Sequence, residues 1–147
     1  MIENKTGYLR PAFRPERVAE QVRTEVPGDV DYDTLVGIGL SGSLVVPRVA
    51  TILGKHWALI RKTGENSHSW AGFEGEIGSR WLFLDDLIST GSSLAKVRTK
   101  IDQLAAEYNS PTTYVGAYLY SSETGGQNGW VPPGEEKGQY LYTRRTS

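Results

Sequence analysis

Cysteine is absent from the 147 residues, so the chain has neither a disulfide framework nor a thiolate zinc site, which fits a reducing compartment. Histidine is scarce, with only His56 and His68. Neither charge sign dominates: 16 Lys and Arg stand against 17 Asp and Glu, for a net charge of −1, and nothing overall pulls the chain toward nucleic acid or a membrane surface. No apolar stretch approaches the ~20 residues of a membrane-spanning helix. The polar N-terminus is unlike a signal peptide, so a soluble, cytoplasmic protein is expected. Repeats and low-complexity tracts are missing as well. The length suits a single domain, 1–147, with a real hydrophobic core.

What is present is concentrated between Trp81 and Leu94. Trp81 to Leu84 is a short apolar run without alternation, the pattern of a central parallel strand covered on both faces. After Gly91, the apolar positions Leu94, Val97, Ile101, Leu104, Ala105 and Tyr108 recur at helical spacing. Between strand and helix lie two acids, Asp85 and Asp86, and four hydroxyls, Ser89, Thr90, Ser92 and Ser93. In an open parallel sheet, ligands settle beyond the carboxyl ends of the strands, where a helix start offers free N–H groups and a positive dipole end. Gly91 lets backbone approach an anion closely, and the hydroxyls add donors without bulk. The segment from Ser89 to Ser93 therefore reads as a phosphate cup. Adjacent carboxylates ~4 Å apart repel by roughly 1 kcal/mol even in water, so the acid pair asks for hydroxyls or a cation. A sugar diol with Mg²⁺ nearby supplies both, and a diol binder beside a phosphate cup points to a sugar phosphate. The plainer alternative is an Asp-rich strand end capped by Ser and Thr.

Elsewhere the pattern alternates helix and strand. Pro15 suits a first helical position, with Val18, Ala19, Val22 and Val26 on one face before Pro27-Gly28. Leu35 to Ile38 is a strand that runs into Gly39-Leu40-Ser41-Gly42, and a helix follows through Leu44, Val45, Val49, Ile52 and Leu53 to Gly54. Gly37-Ile38-Gly39-Leu40-Ser41-Gly42 matches the dinucleotide fingerprint literally. The next strand, His56 to Ile60, ends in Arg61-Lys62 rather than in the acid that would hold a ribose, which argues against a dinucleotide. A polar stretch from Thr63 to Ser69 includes His68. Thr113 to Tyr120 is a further strand, and 121–138 is rich in Gly, Pro and Ser, with Trp130 inside it. Tyr140 to Tyr142 reads as a last short strand. The fold class is α/β, a mostly parallel central sheet flanked by helices.

The run Leu84-Asp85-Asp86-Leu87-Ile88-Ser89-Thr90-Gly91-Ser92-Ser93 resembles the 5-phosphoribosyl-1-pyrophosphate (PRPP) signature of type I phosphoribosyltransferases, and the likeness covers about residues 34–120. It implies that Asp85 and Asp86 hold the ribose and that Ser89, Thr90, Gly91, Ser92 and Ser93 hold its 5-phosphate. Leu40, Ser41 and Gly42 would line the pyrophosphate loop, with a cis peptide at Leu40-Ser41, and Arg61 with Lys62 would face the leaving pyrophosphate. Thr63 to Ser69 would be a mobile lid, with His68 as a loop histidine. A small hood from 1–13 and 121–147 would cover the nucleobase, and Trp130 could stack on it; packing of the tail is the alternative for each aromatic. Magnesium would be held through PRPP, Asp85 and Asp86.

The implied activity is transfer of the phosphoribosyl group from PRPP to a nucleobase with release of pyrophosphate, in nucleotide salvage or synthesis, by a homodimer without membrane or nucleic-acid partners. Ser89 stands where hypoxanthine-guanine enzymes carry an acid, and Asp86 where uracil enzymes carry proline; adenine- and orotate-type members remain. The rival is a non-catalytic regulator of the same fold that senses PRPP or a nucleotide, with a nucleic-acid link through Arg14, Arg17 and Arg23 or Arg144 and Arg145.

Overall fold

The computed structural model describes residues 2, 14–62, 72–88, 90–120 and 126–138. In chain order the elements are α1 (Pro15–Glu25), β1 (Thr34–Ile38), α2 (Gly39–Leu53), β2 (His56–Ile60), β3 (Phe73–Gly75), β4 (Arg80–Asp85), α3 (Ser92–Glu107), β5 (Thr113–Leu119) and β6 (Gly129–Val131). They build one sheet in the order β3-β2-β1-β4-β5-β6. The four inner strands are parallel, and the edge strands β3 and β6 run antiparallel to their neighbours.

Helices cover both faces, as unbroken apolar strands require. On one face α1 and α2 pack Val18, Val22, Val45 and Val49 against Leu35, Leu82 and Leu84. On the other, α3 lays Leu94, Val97 and Ile101 over Val36, Phe83 and Ala117. β4 lies at the middle, with Leu82, Phe83 and Leu84 fully buried; burying a side chain of this size stabilises by roughly 1.5–3 kcal/mol. α1 starts with proline in its first turn, and the hydroxyl of Tyr118 in β5 donates to Glu25 at its end.

Several boundaries differ from the sequence expectation. α2 begins at Gly39, directly after β1, instead of beyond a loop ending near Leu44. Leu40 and Ser41 thus belong to a helical first turn, and the bond between them is trans, as is every peptide among the described residues. The glycine-rich spacing serves packing here: a Cβ on Gly37 would stand 2.6 Å from Val46 Cγ2, and one on Gly42 would stand 3.3 Å from the Gly37 backbone. Gly39, at φ +75°, makes the strand-to-helix turn in one residue. β3 and β6 were not anticipated, because three-residue strands carry almost no periodicity. The expected strand at Tyr140 to Tyr142, the lid residues 63–69 and hood residues 1, 3–13, 121–125 and 139–147 lie outside the described residues. No described helix is long and apolar enough to cross a membrane.

Candidate active site

The chain's two crossovers part between β1 and β4. From β1 the path runs through α2 to β2 on one flank; from β4 it runs through α3 to β5 on the other. Neighbouring strands whose connections leave in opposite directions open a crevice beyond their carboxyl ends. Two helix starts border it, α2 after Ile38 and α3 after Gly91, and neither N-cap residue makes a side-chain cap bond, although the Ser92 amide donates to Thr90 Oγ1 at 3.4 Å. First-turn N–H groups have no acceptor within their own helix. The amides of Leu40, Ser41 and Gly42 and that of Ser93 therefore bring donors and positive dipole ends to one place.

The acids sit between these helix starts and are unequal. Asp85 closes β4 and is buried, while Asp86 is half-buried with its Oδ1 accepting from the Leu87 amide at 2.8 Å. Burial pushes the Asp85 carboxyl up to about 8, the negative charge of Asp86 adds to this, and the Lys62 ammonium pulls the other way. The pair was expected to hold the ribose together. One half-buried and one buried carboxyl, within hydrogen-bonding reach of each other, is what the structure contains.

The basic pair is split. Lys62 folds over the turn into α2: a Cβ on Gly39 would lie 2.9 Å from its Cε and 3.1 Å from Nζ. Arg61 turns to β3, where its guanidinium donates to Glu74 Oε1 at 2.6 Å. Successive residues at a strand end point to opposite sides: Lys62 lies over the α2 turn, while Arg61, held by Glu74, lines the cleft beside it. A cleft of about 410 Å³ beside α2 is lined by Gly39, Leu40, Ser43, Arg61 and Glu74, among others.

No family model matches the sequence. A curated relative, HGPRTase-like protein 1 of Halalkalicoccus jeotgali, is 31% identical over 120 residues, covering 72% of this chain and 65% of that protein. Among solved structures, adenine phosphoribosyltransferase from Saccharomyces cerevisiae superposes with a TM-score of 0.57 at 22% identity, covering 80% of this chain and 73% of the other. Orotate phosphoribosyltransferase from Francisella tularensis gives 0.54 at 22% identity, covering 74% and 50%. The chain belongs to the type I phosphoribosyltransferase fold. It spans 65% of the curated relative and about half of the orotate enzyme.

The loop after β4 holds the segment singled out in the sequence. Ser89 and His68 lie outside the described residues. Thr90 and Ser92 are exposed and Ser93 is half-buried; the Thr90 hydroxyl donates to Ser92 Oγ at 3.2 Å. Gly91, at φ +84°, is buried under the tail, and a Cβ there would stand 2.4 Å from the Lys137 carbonyl oxygen. Gln127 ties that tail down. It exchanges backbone bonds with Ile88 and its side-chain amide holds the Glu135 carbonyl and the Lys137 amide. The buried carboxylate of Glu136 accepts from Arg98, Tyr114 and the Gly134 amide.

Residues 126–138 thus lie along the sheet edge and the phosphate loop, where a hood over a base was expected. Trp130 needs the same correction: it pairs with Tyr118 in the β5–β6 ladder, and its ring reaches back over Gly116 toward the amino ends of the strands. A side chain larger than hydrogen at Gly116 would meet that ring at 2.5 Å. Packing, the alternative considered for this aromatic, accounts for its position.

Tyr120 was missed. It follows the last residue of β5, its hydroxyl lies 2.6 Å from Ser41 Oγ, and its N–H donates to the Asp85 carbonyl at 3.1 Å. Burial and the charges of Asp85 and Asp86 raise its phenol above the usual range. The available signal was position, since the carboxyl end of a central strand is where Asp85 itself was found.

Among the described residues, no three or more His, Asp or Glu side chains gather to hold a metal. Two adjacent carboxyls, Asp85 and Asp86, beside two helix starts fit magnesium of the kind held by one or two carboxylates together with substrate phosphates.

Proposed function

We propose that this protein is a phosphoribosyltransferase that moves the 5-phosphoribosyl group of PRPP to a ring nitrogen of a nucleobase and releases pyrophosphate, in nucleotide salvage or synthesis. The observation that supports this best is the convergence of two helix starts on one carboxyl pair at the β1/β4 crevice. The α3 start, with Ser89, Thr90, Gly91, Ser92 and Ser93, holds the 5-phosphate. Asp86, with Asp85 beneath it, takes the ribose hydroxyls. The amides of Leu40, Ser41 and Gly42 and the ammonium of Lys62 receive the pyrophosphate.

Breaking the bond at C1 gives an oxocarbenium-like ribose and a growing negative charge on the departing group. Donors fixed where that charge develops lower the barrier, because they interact more strongly with the transition state than with the ground state. Orientation of the sugar by the acids supplies the rest. Magnesium, bound with PRPP beside Asp85 and Asp86, supplies additional charge neutralisation. No protein nucleophile is needed, which agrees with a chain without cysteine. The resemblance also carries a cytoplasmic homodimer, whose assembly light scattering tests.

A second reading has support in the Arg61–Glu74 pair, which takes one of the two expected cations away from the pyrophosphate: the protein binds PRPP as a regulator and does not turn it over. Incubation with PRPP, Mg²⁺ and each of adenine, guanine, hypoxanthine, uracil and orotate separates the two. Pyrophosphate release with one base establishes the enzyme and its substrate. Saturable PRPP binding without release for any base establishes the regulator.

A further inference from the structure

Tyr120 touches both halves of the crevice, the start of α2 through its hydroxyl and the end of β4 through its amide. Its partner Ser41 is also buried and sits in the helix turn whose amides face the proposed leaving group. Each hydroxyl has a single proton to donate, so the direction of the bond decides what Ser41 can do. At 2.6 Å either oxygen of the Tyr120–Ser41 contact can be the donor. Ser43, two residues on, shows what a helical serine does otherwise: its Oγ donates to the Leu40 carbonyl at 2.8 Å.

We propose that Tyr120 is a positioning residue for the leaving group: its hydroxyl donates to Ser41 Oγ and turns the Ser41 proton outward, to donate to the departing pyrophosphate. Accepting from the phenol polarises the Ser41 O–H and makes it the stronger donor, because hydrogen bonds in series strengthen one another. Because the contact joins β5 to α2 across the sheet, it also fixes the height of the α2 start relative to the acid pair. This rests on the phosphoribosyltransferase reading above.

The test is calorimetric titration of magnesium pyrophosphate and, separately, of ribose 5-phosphate into wild type, Tyr120→Phe, Ser41→Ala and the double variant. Phenylalanine retains the ring that fills the site, and the thermal midpoint checks the fold of each variant. Loss of one neutral hydrogen bond predicts pyrophosphate binding weakened roughly three- to tenfold in Tyr120→Phe, with ribose 5-phosphate unchanged. The double variant should be no weaker than Ser41→Ala alone. Unchanged pyrophosphate affinity, equal weakening of both ligands, or additive losses would overturn the assignment. Wild-type protein that binds neither ligand would remove the PRPP reading itself, a result separate from any of these.

Discussion

The two strand-to-helix turns at the crevice are built from opposite materials. The first, β1 into α2, is a single glycine with no acid, and it is shaped by what is absent: Gly37, Gly39 and Gly42 let backbone and helix close up. The second, β4 into α3, runs over Asp85 to Gly91 and is crowded with carboxyls and hydroxyls, with the tail lying on it. Bare amides suit an anion that must arrive and leave, since they hold it without a bulky side chain. Carboxyls suit a neutral diol, which needs acceptors aimed at two hydroxyls. In the proposed reaction the leaving group and the sugar accordingly fall to separate turns.

Removing the side chains of the second turn should have the largest effect. Asp85→Asn with Asp86→Asn should weaken PRPP binding by roughly ten- to hundredfold, since the charge-assisted bond from Asp86 is worth about 1.5–3 kcal/mol, with circular dichroism unchanged. Undiminished affinity in a titration would abolish the contrast between the turns.

The next effect is on stability against pH. Asp85 holds its proton more tightly folded, at about 8, than at its ordinary 3.8, so its contribution is full below about pH 4 and is lost as pH rises through about 8. The thermal midpoint of the ligand-free protein should fall across that window, by the equivalent of a few kcal/mol on the order-of-magnitude scale of such linkage. Asp85→Asn should flatten the fall. A midpoint that rises between pH 5 and pH 8, with or without Asp85, contradicts the burial account.

For the first turn, Gly37→Ala drives a methyl into Val46 Cγ2 and should cost about 1–3 kcal/mol in chemical denaturation. It should also weaken pyrophosphate more than ribose 5-phosphate, because it displaces α2 and leaves α3 alone. The smallest effects concern the basic pair. Lys62→Met should weaken pyrophosphate binding several-fold, as loss of one charged contact implies. Arg61→Met should leave binding alone and cost about 0.5–1 kcal/mol from the partly exposed pair with Glu74. Equal effects on binding would restore the basic pair as a unit.

Much of this architecture was readable because the signals were local. The apolar run at Trp81 to Leu84, the helical spacing from Leu94 onward and the turn chemistry between them are set by residues within a few positions of one another. The inner strands and the three helices follow from the same kind of pattern. Tyr120 and Ser41 are 79 positions apart, and no periodicity links them. The same holds for Arg61 and Glu74, whose pairing depends on an antiparallel edge strand of three residues. Trp130 looked like a base platform because an aromatic in a Gly- and Pro-rich segment has no visible neighbour; the bulge in the β4–β5 register and the bare Gly116 give it one.

The sequence by itself determined the order of the inner strands and the helices, the acids at the end of the central strand and the hydroxyl-rich helix start after them, because each is written in adjacent side chains. Only the tertiary structure decided that Asp85 is buried while Asp86 is half-buried, that Lys62 lies over the α2 turn while Arg61 pairs with Glu74, and that the tyrosine following β5 meets a serine of α2. Burial and partner choice depend on which strands become neighbours in the sheet, and that is a property of the whole packed chain.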